Sequence, residues 1–153
     1  MTTTIAPDLT VKRTFAAPRT LVYRAFTDPE QFAAWWGPIG NLLPRDQIDF
    51  DVRPGGHLRW HEKFPAEPAV WTNGSLDLAE VVEDQLLEGT MRISGKLPAG
   101  YEPFETKIRI EFHDEADGKT RLVVQQWLPE NLVSPTKNGW AEAFSKLDTV
   151  LAR

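Results

Sequence analysis

Residues 134–153 read SPTKNGWAEAFSKLDTVLAR, and the spacing of their bulky apolar positions decides the fold. Trp140, Phe144, Leu147 and Leu151 fall on one face of an α-helix, with Ala143 and Val150 beside them. Ser134-Pro135 supplies the start signal, a capping residue followed by proline at the first helical position. A helix over this stretch runs about 30 Å, long enough to cross a whole sheet.

The sheet is read from the middle of the chain. From Asp46 onward the pattern shifts to period two and predicts strands near 46–52, 57–64, 71–82, 86–94, 105–113 and 120–128. Their separators are turn-forming: Arg53-Pro54-Gly55-Gly56, Pro65 to Pro68, Glu83-Asp84-Gln85, Gly95 to Pro103, and Asp114 to Gly118. Short separators favour antiparallel neighbours. Upstream, DLTVKRTF (8–15) alternates as a first strand, with Leu9, Val11 and Arg13 on one side. Ala17-Pro18 stops it, and Leu21, Val22, Ala25 and Phe26 then recur at helical spacing. Asp28-Pro29-Glu30-Gln31 opens a second short helix in which Asp28 caps, Pro29 takes the first position and Gln31 completes a capping box. Phe32, Trp35 and Trp36 form its apolar end, and Gly37-Pro38 terminates it. The expected class is α+β: a curved antiparallel sheet gripping a long carboxy-terminal helix, with two short helices after the first strand. With no repeat or dividing linker, residues 1–153 are expected to form one domain, its core spanning about 9–151.

A chain of 153 residues buries roughly two-thirds of the surface it would expose unfolded, so one core is expected. Apolar residues make up 41% and charged residues 25%, near globular averages. No apolar run approaches membrane-spanning length, and MTTTIAPDLT lacks a basic stretch followed by an apolar one, so a cytoplasmic protein without membrane association is expected. The absence of cysteine removes disulfides, thiolate metal sites and cysteine nucleophiles. A formal charge of -5 with no cluster of Lys and Arg argues against nucleic acid as a partner.

If the bulky side of each strand faces the last helix, Leu58, Trp60, Phe64, Leu76, Leu78, Leu87, Met91, Ile93, Ile108, Ile110, Phe112, Leu122 and Val124 line the inside. The stripe fits either a dry core or the wall of a cavity. The same alternation turns Glu62, Thr106 and Gln126 inward, and binding pockets are typically apolar with a few convergent polar groups. Glu62 has two readings: buried, where lost solvation raises its pKa and suits it to acid–base work, or at the sheet rim in water. The Phe32, Trp35 and Trp36 cluster reads as a plug at one end of the sheet or as part of a pocket mouth, and a buried indole N–H needs a partner.

Other chemistries find little support. His57 and His61 share a strand, roughly 13 Å apart if extended, too far to chelate one ion, so no metal site is expected. They belong with Arg59 and Lys63 on the outer face, as do Lys107, Arg109, Glu111 and His113. No serine sits in a nucleophile elbow, and Arg53-Pro54-Gly55-Gly56-His57 lacks the lysine and spacing of a phosphate loop. No cofactor is expected.

The order FAAPRTLVYRAFTDPEQFAAWWGP, FDVRPGGHLRW, EVVEDQLLEGTM and NGWAEAFSKLDTVL resembles the bacterial proteins named after the activator of heat-shock protein 90 ATPase. These are members of the START/SRPBCC helix-grip superfamily, with the birch-pollen-allergen-like proteins and the polyketide cyclases. The resemblance runs from about Leu9 to Leu151 and rests on Asp28-Pro29 with Trp35-Trp36, on Pro54-Gly55-Gly56, and on Gly139-Trp140 opening the last helix. It implies a seven-stranded antiparallel sheet around the carboxy-terminal helix, two short helices closing one end, and an apolar cavity. Members bind lipids, hormones or aromatic polyketides, and some catalyse cyclisation, dehydration or hydrolysis; their catalytic residues differ and none transfers. This chain departs in the proline-rich FPAEPAVWTN (64–73), which bears on the cavity mouth, and in the bulk of Trp60, Trp140 and Phe144, which bears on cavity size.

The leading expectation is a binding protein for a small hydrophobic or aromatic molecule, held by Trp60, Glu62, Phe64, Leu78, Met91, Thr106, Ile108, Ile110, Gln126, Trp140, Phe144 and Leu147, with Ala143 beside them. The alternative is an enzyme of the cyclase or hydrolase type in which Glu62 is the acid or base and Thr106, Gln126 or Tyr101 orients the substrate. Tyr101 reads either as part of a loop over the mouth or as an ordinary exposed tyrosine. A co-chaperone role at a heat-shock ATPase ranks last. Exposed strand edges with Trp71 or Trp127 allow a homodimer.

Overall fold

Seven strands pair into one antiparallel sheet in the computed structural model, which describes residues 5–153. Met1–Thr4, part of the start expected to lack a basic stretch followed by an apolar one, lie outside them. In chain order the elements are β1 (Leu9–Phe15), α1 (Arg19–Thr27), α2 (Pro29–Trp35), β2 (Asp49–Asp51), β3 (His57–Lys63), β4 (Trp71–Val82), β5 (Leu86–Lys96), β6 (Phe104–Glu115), β7 (Lys119–Trp127) and α3 (Glu130–Leu151). The spatial order is β1-β7-β6-β5-β4-β3-β2. Strands β2 to β7 form a meander, and β1 closes the far edge against β7 with Val11 opposite Val124. The β4/β5 ladder shifts register between Leu78 and Glu80, next to Gly89, where a Cβ would strike the Asp77 carbonyl. A bulge of this kind bends a strand, and here it helps to curl the sheet toward α3.

The inner face carries Leu58, Trp60, Leu76, Leu78, Leu87, Met91, Ile108, Ile110, Phe112, Leu122 and Val124, all buried as the alternation predicts. Ile93 is only half-buried. The helix is fastened over this face near its carboxy-terminal end: Phe144 meets Phe15 edge-on at 5.3 Å, Leu147 is fully buried, and Asp148 pairs with Arg13 of β1. On the outer face Arg109 bridges Glu88 (2.5 Å) and Glu111 (2.7 Å), with His113 on Glu111 at 2.9 Å. No helix among the described residues is long and apolar enough to cross a membrane.

Several local expectations are corrected. α3 begins at Glu130 behind Pro129, so Ser134 is not its cap, Pro135 lies inside it, and Gly139-Trp140 sits in its interior. Leu132 explains the earlier start, because its side chain is buried and its N–H donates to the Pro129 carbonyl at 2.9 Å. Proline this close to the start removes one backbone bond, to the carbonyl of Asn131, which is exposed to solvent. Of the strand expected at 46–52 only Asp49–Asp51 pairs; Arg45–Gln47 is a 3-10 turn that lets Ile48 fold into the core. In α1 the buried stripe is Val22, Tyr23, Ala25 and Phe26, with Leu21 exposed, because Tyr23 packs edge-on against Phe112 at 5.3 Å. Asp28 caps α2 by accepting from the Glu30 N–H at 3.0 Å. Its own N–H is taken by the Arg24 carbonyl at 2.8 Å, so Gln31 donates to the Asp28 carboxylate and no capping box forms.

The aromatic cluster plays both of its expected parts. Trp35 is fully buried, and its indole N–H donates to the Ala25 carbonyl at 2.8 Å. Trp36 stacks on Phe32 (4.7 Å) and meets Trp60 (5.1 Å) and Trp140 (5.3 Å) edge-on, joining the end plug to the helix. The flat placement of Trp60 depends on Gly74 across the ladder, where any Cβ would collide with the indole.

Candidate functional site

Between the curled sheet, the loop after α2 and the middle of α3 lies a cavity of about 160 Å³. Its inner walls are buried: Glu62 from β3, Met91 from β5, Gln126 from β7, and Trp140 and Ala143 from α3. Its outer walls are half-buried: Trp36, Gly37 and Pro38 from the loop, Phe104 at the start of β6, and Thr136 and Gly139 on α3. The surface is therefore mostly hydrocarbon and indole, with two inward polar side chains, Glu62 and Gln126.

Glu62 is 7% exposed, which decides between its two readings in favour of burial. Burial pushes its carboxyl pKa above the ordinary value, opposed by a hydrogen bond from Asn41 and by the positive fields of Lys146 and His61. The Asn41 amide donates to Oε2 at 2.5 Å. Gly37 makes this packing possible: it has φ +83°, and a Cβ there would lie 2.6 Å from Glu62 Oε2. The loop is held from α3, where Lys146 Nζ donates to the Pro38 carbonyl at 3.1 Å and the Trp36 carbonyl at 3.3 Å. Glu142 adds a third tie by accepting from the Ile39 N–H at 3.0 Å. Partial burial lowers the pKa of Lys146, offset by Glu62 and Glu142, yet no ion pair joins Lys146 to Glu62.

Gln126 is held differently. The Trp140 indole N–H donates to its Oε1 at 2.7 Å. Thr106 is buried, but its hydroxyl is engaged with the backbone carbonyls of Trp127 (2.9 Å) and Lys107 (3.0 Å), so it has no free proton with which to orient a substrate. Tyr101 is half-buried against the core and does not border the cavity.

Of the residues expected to hold a ligand, Glu62, Met91, Gln126 and Trp140 meet around the cavity. Trp60, Leu78, Ile108, Ile110, Phe144 and Leu147 are packed in the core beneath it. Phe64 lies past the end of β3 in a separate surface hollow of about 440 Å³ with Leu42, His61, Pro65, Pro68 and Trp71. That hollow is where the proline-rich stretch acts, so it does not shape the mouth of the inner cavity. Sequence reasoning did not assign Gly37, Pro38, Asn41, Phe104, Thr136 or Lys146 to the site. Gly37-Pro38 carried a signal, since a glycine after two tryptophans marks a close backbone approach; Asn41 and Lys146 carried none. Among the described residues no three His, Asp or Glu side chains gather as a metal cluster.

The model of the family described as "Activator of Hsp90 ATPase homolog 1-like protein" matches residues 16–152. The chain belongs to that family. Solved structures similar to this activator-homologue-like chain include a protein of Chromobacterium violaceum at 23% identity and TM-score 0.80, covering 95% of this chain and 96% of that one. A protein of Mycobacterium smegmatis matches at 22% identity and TM-score 0.77, over 94% and 90%. The AHSA1 protein of Silicibacter pomeroyi matches at 21% identity and TM-score 0.76, over 94% and 96%. At these identities the likeness establishes the helix-grip fold, consistent with the START/SRPBCC superfamily, and nothing finer. No protein of curated function matches the chain.

Proposed function

We propose that this protein binds a small, largely apolar molecule of single-ring size in the cavity between its sheet and α3. The observation that carries the reading is an open-sided hollow of about 160 Å³ walled by Trp36, Met91, Phe104 and Trp140 with few polar groups. An apolar cavity of about 150 Å³ admits benzene, whereas pockets for drug-sized ligands start at about 300 Å³. Size thus selects one ring or a short chain over a lipid or a polycyclic molecule. Titration calorimetry with substituted benzenes and short-chain fatty alcohols tests this, and the expected outcome is saturable one-to-one binding by ring compounds. Absence of binding by every compound at millimolar concentration refutes it.

One observation supports a second reading, an acid–base enzyme of the cyclase or hydrolase type. Glu62 is buried at the cavity wall with a pKa raised by burial, and a positioned carboxyl contributes about 10²- to 10⁴-fold through proton transfer. Gln126 remains as an orienting partner, since Thr106 is engaged with backbone. On this reading Glu62→Gln loses nearly all turnover of a substrate found among the bound ring compounds; unchanged turnover removes the role.

A further inference from the structure

We infer that the cavity selects an uncharged single-ring molecule carrying a hydrogen-bond acceptor at one end, met by the Gln126 amide nitrogen, and a hydroxyl donor at the other, met by the free oxygen of Glu62. This rests on the cavity-binding reading above and specifies the chemistry of the ligand.

The Gln126 end is fixed by Trp140. An indole nitrogen only donates, so the amide oxygen must face it, as the 2.7 Å bond shows, and the amide nitrogen is turned away. That nitrogen donates to no protein group among the described residues. Wholly buried side-chain polar atoms without a partner are confined there to the Trp60 indole nitrogen. Gln126, though only 2% exposed, borders the cavity, so its amide nitrogen opens onto the cavity space. A donor that faces a largely apolar hollow has no protein partner there, and a ligand carbonyl placed against it supplies one.

The Glu62 end is fixed by Asn41. The amide of Asn41 occupies Oε2, and no group among the described residues donates to Oε1. The two unmatched atoms come from β3 and β7, four strands apart in the sheet, and they share a cavity only because the sheet curls. They therefore approach a guest from different walls.

Charge excludes ions of either sign. A ligand carboxylate meets the Glu62 carboxyl, and a ligand ammonium sheds its water among the Trp36, Met91, Phe104 and Trp140 walls with the positive field of Lys146 nearby. A neutral ring with para-disposed hydroxyl and carbonyl groups fits both poles.

Four closely sized probes separate the possibilities: 4-hydroxyacetophenone, 4-methylacetophenone, 4-ethylphenol and 4-ethyltoluene, titrated calorimetrically at pH 7 against the wild-type chain. A hydrogen bond to a group otherwise unmatched is worth about tenfold in affinity, so each polar group is expected to tighten binding by about that factor. The Gln126→Met variant is expected to erase the gain from the carbonyl and keep the gain from the hydroxyl. Equal affinities, or tightest binding of 4-ethyltoluene, overturn the polarity while leaving a generic apolar cavity intact. No binding by any probe overturns both readings. Should Gln126→Met not fold, as judged by circular dichroism, the ranking on the wild-type protein still decides.

Discussion

Ala143→Leu offers the sharpest test of the void itself. Ala143 is buried on the α3 side of the cavity, and its methyl group faces about 160 Å³ of unfilled space. Leucine adds three carbons there, and each buried methylene contributes about 0.8 kcal/mol, giving an upper bound of roughly 2.4 kcal/mol. Leucine nearly matches alanine in helix propensity, so the helix itself subtracts little. Rotamer restriction and imperfect fit reduce the gain to about 1–2 kcal/mol. For a chain of this length each kcal/mol moves Tm by about 2–4 °C, so a rise of roughly 2–8 °C is expected in a calorimetric scan. The same substitution should abolish binding of ring compounds, because the volume they need is taken. A fall in Tm of several degrees refutes the reasoning, since overpacking of a filled core is what lowers stability by about 1–3 kcal/mol.

Two further outcomes follow from named residues. Burial raises the folded-state pKa of Glu62, so as pH rises the unfolded chain releases this proton first; its contribution to stability is fullest below the ordinary glutamate value of about 4.3 and is lost as pH climbs through the raised one. Glu62→Gln keeps an acceptor for Asn41 and cannot ionise, so its urea midpoint should overtake that of the wild type increasingly between pH 4 and pH 8, and parallel curves would contradict the burial. Gly139 lies inside α3, and a Cβ there meets nothing within 4 Å, so Gly139→Ala should stabilise by about 0.5–1 kcal/mol in urea denaturation; a destabilised variant would mean that the mouth is tighter than the geometry shows.

Local rules read well wherever a single element decides its own conformation. β4 runs over 71–82 as predicted, and its alternation holds from Trp71 to Leu78, where residues facing one core keep period two up to the bulge. The start of α3 was misread because Ser134-Pro135 carries the chemistry of a cap, while the burial of Leu132, which extends the helix upstream, depends on a partner surface that periodicity does not encode. The site was legible to a similar depth. Alternation correctly turned Glu62, Thr106 and Gln126 inward, but only assembled coordinates distinguish a side chain at a void from one beneath it. Ile108 and Met91 look alike in a strand pattern, yet one is core and the other wall. Folding alone brings the Asn41 amide to Glu62 from a loop and sets the positive field of Lys146 near it from a distant helix.

Pro135 gives α3 a soft end and a firm one. Beyond Ala143 the helix is riveted by Phe144 and Leu147, whereas its opening turn lacks the backbone bond that proline cannot make and holds chiefly through Leu132. Thr136 and Gly139, which frame the outside of the chamber, sit just past that weak link. The opening turn is therefore where α3 frays most readily, and amide exchange should be fastest over residues 131–136 and slowest over 143–148.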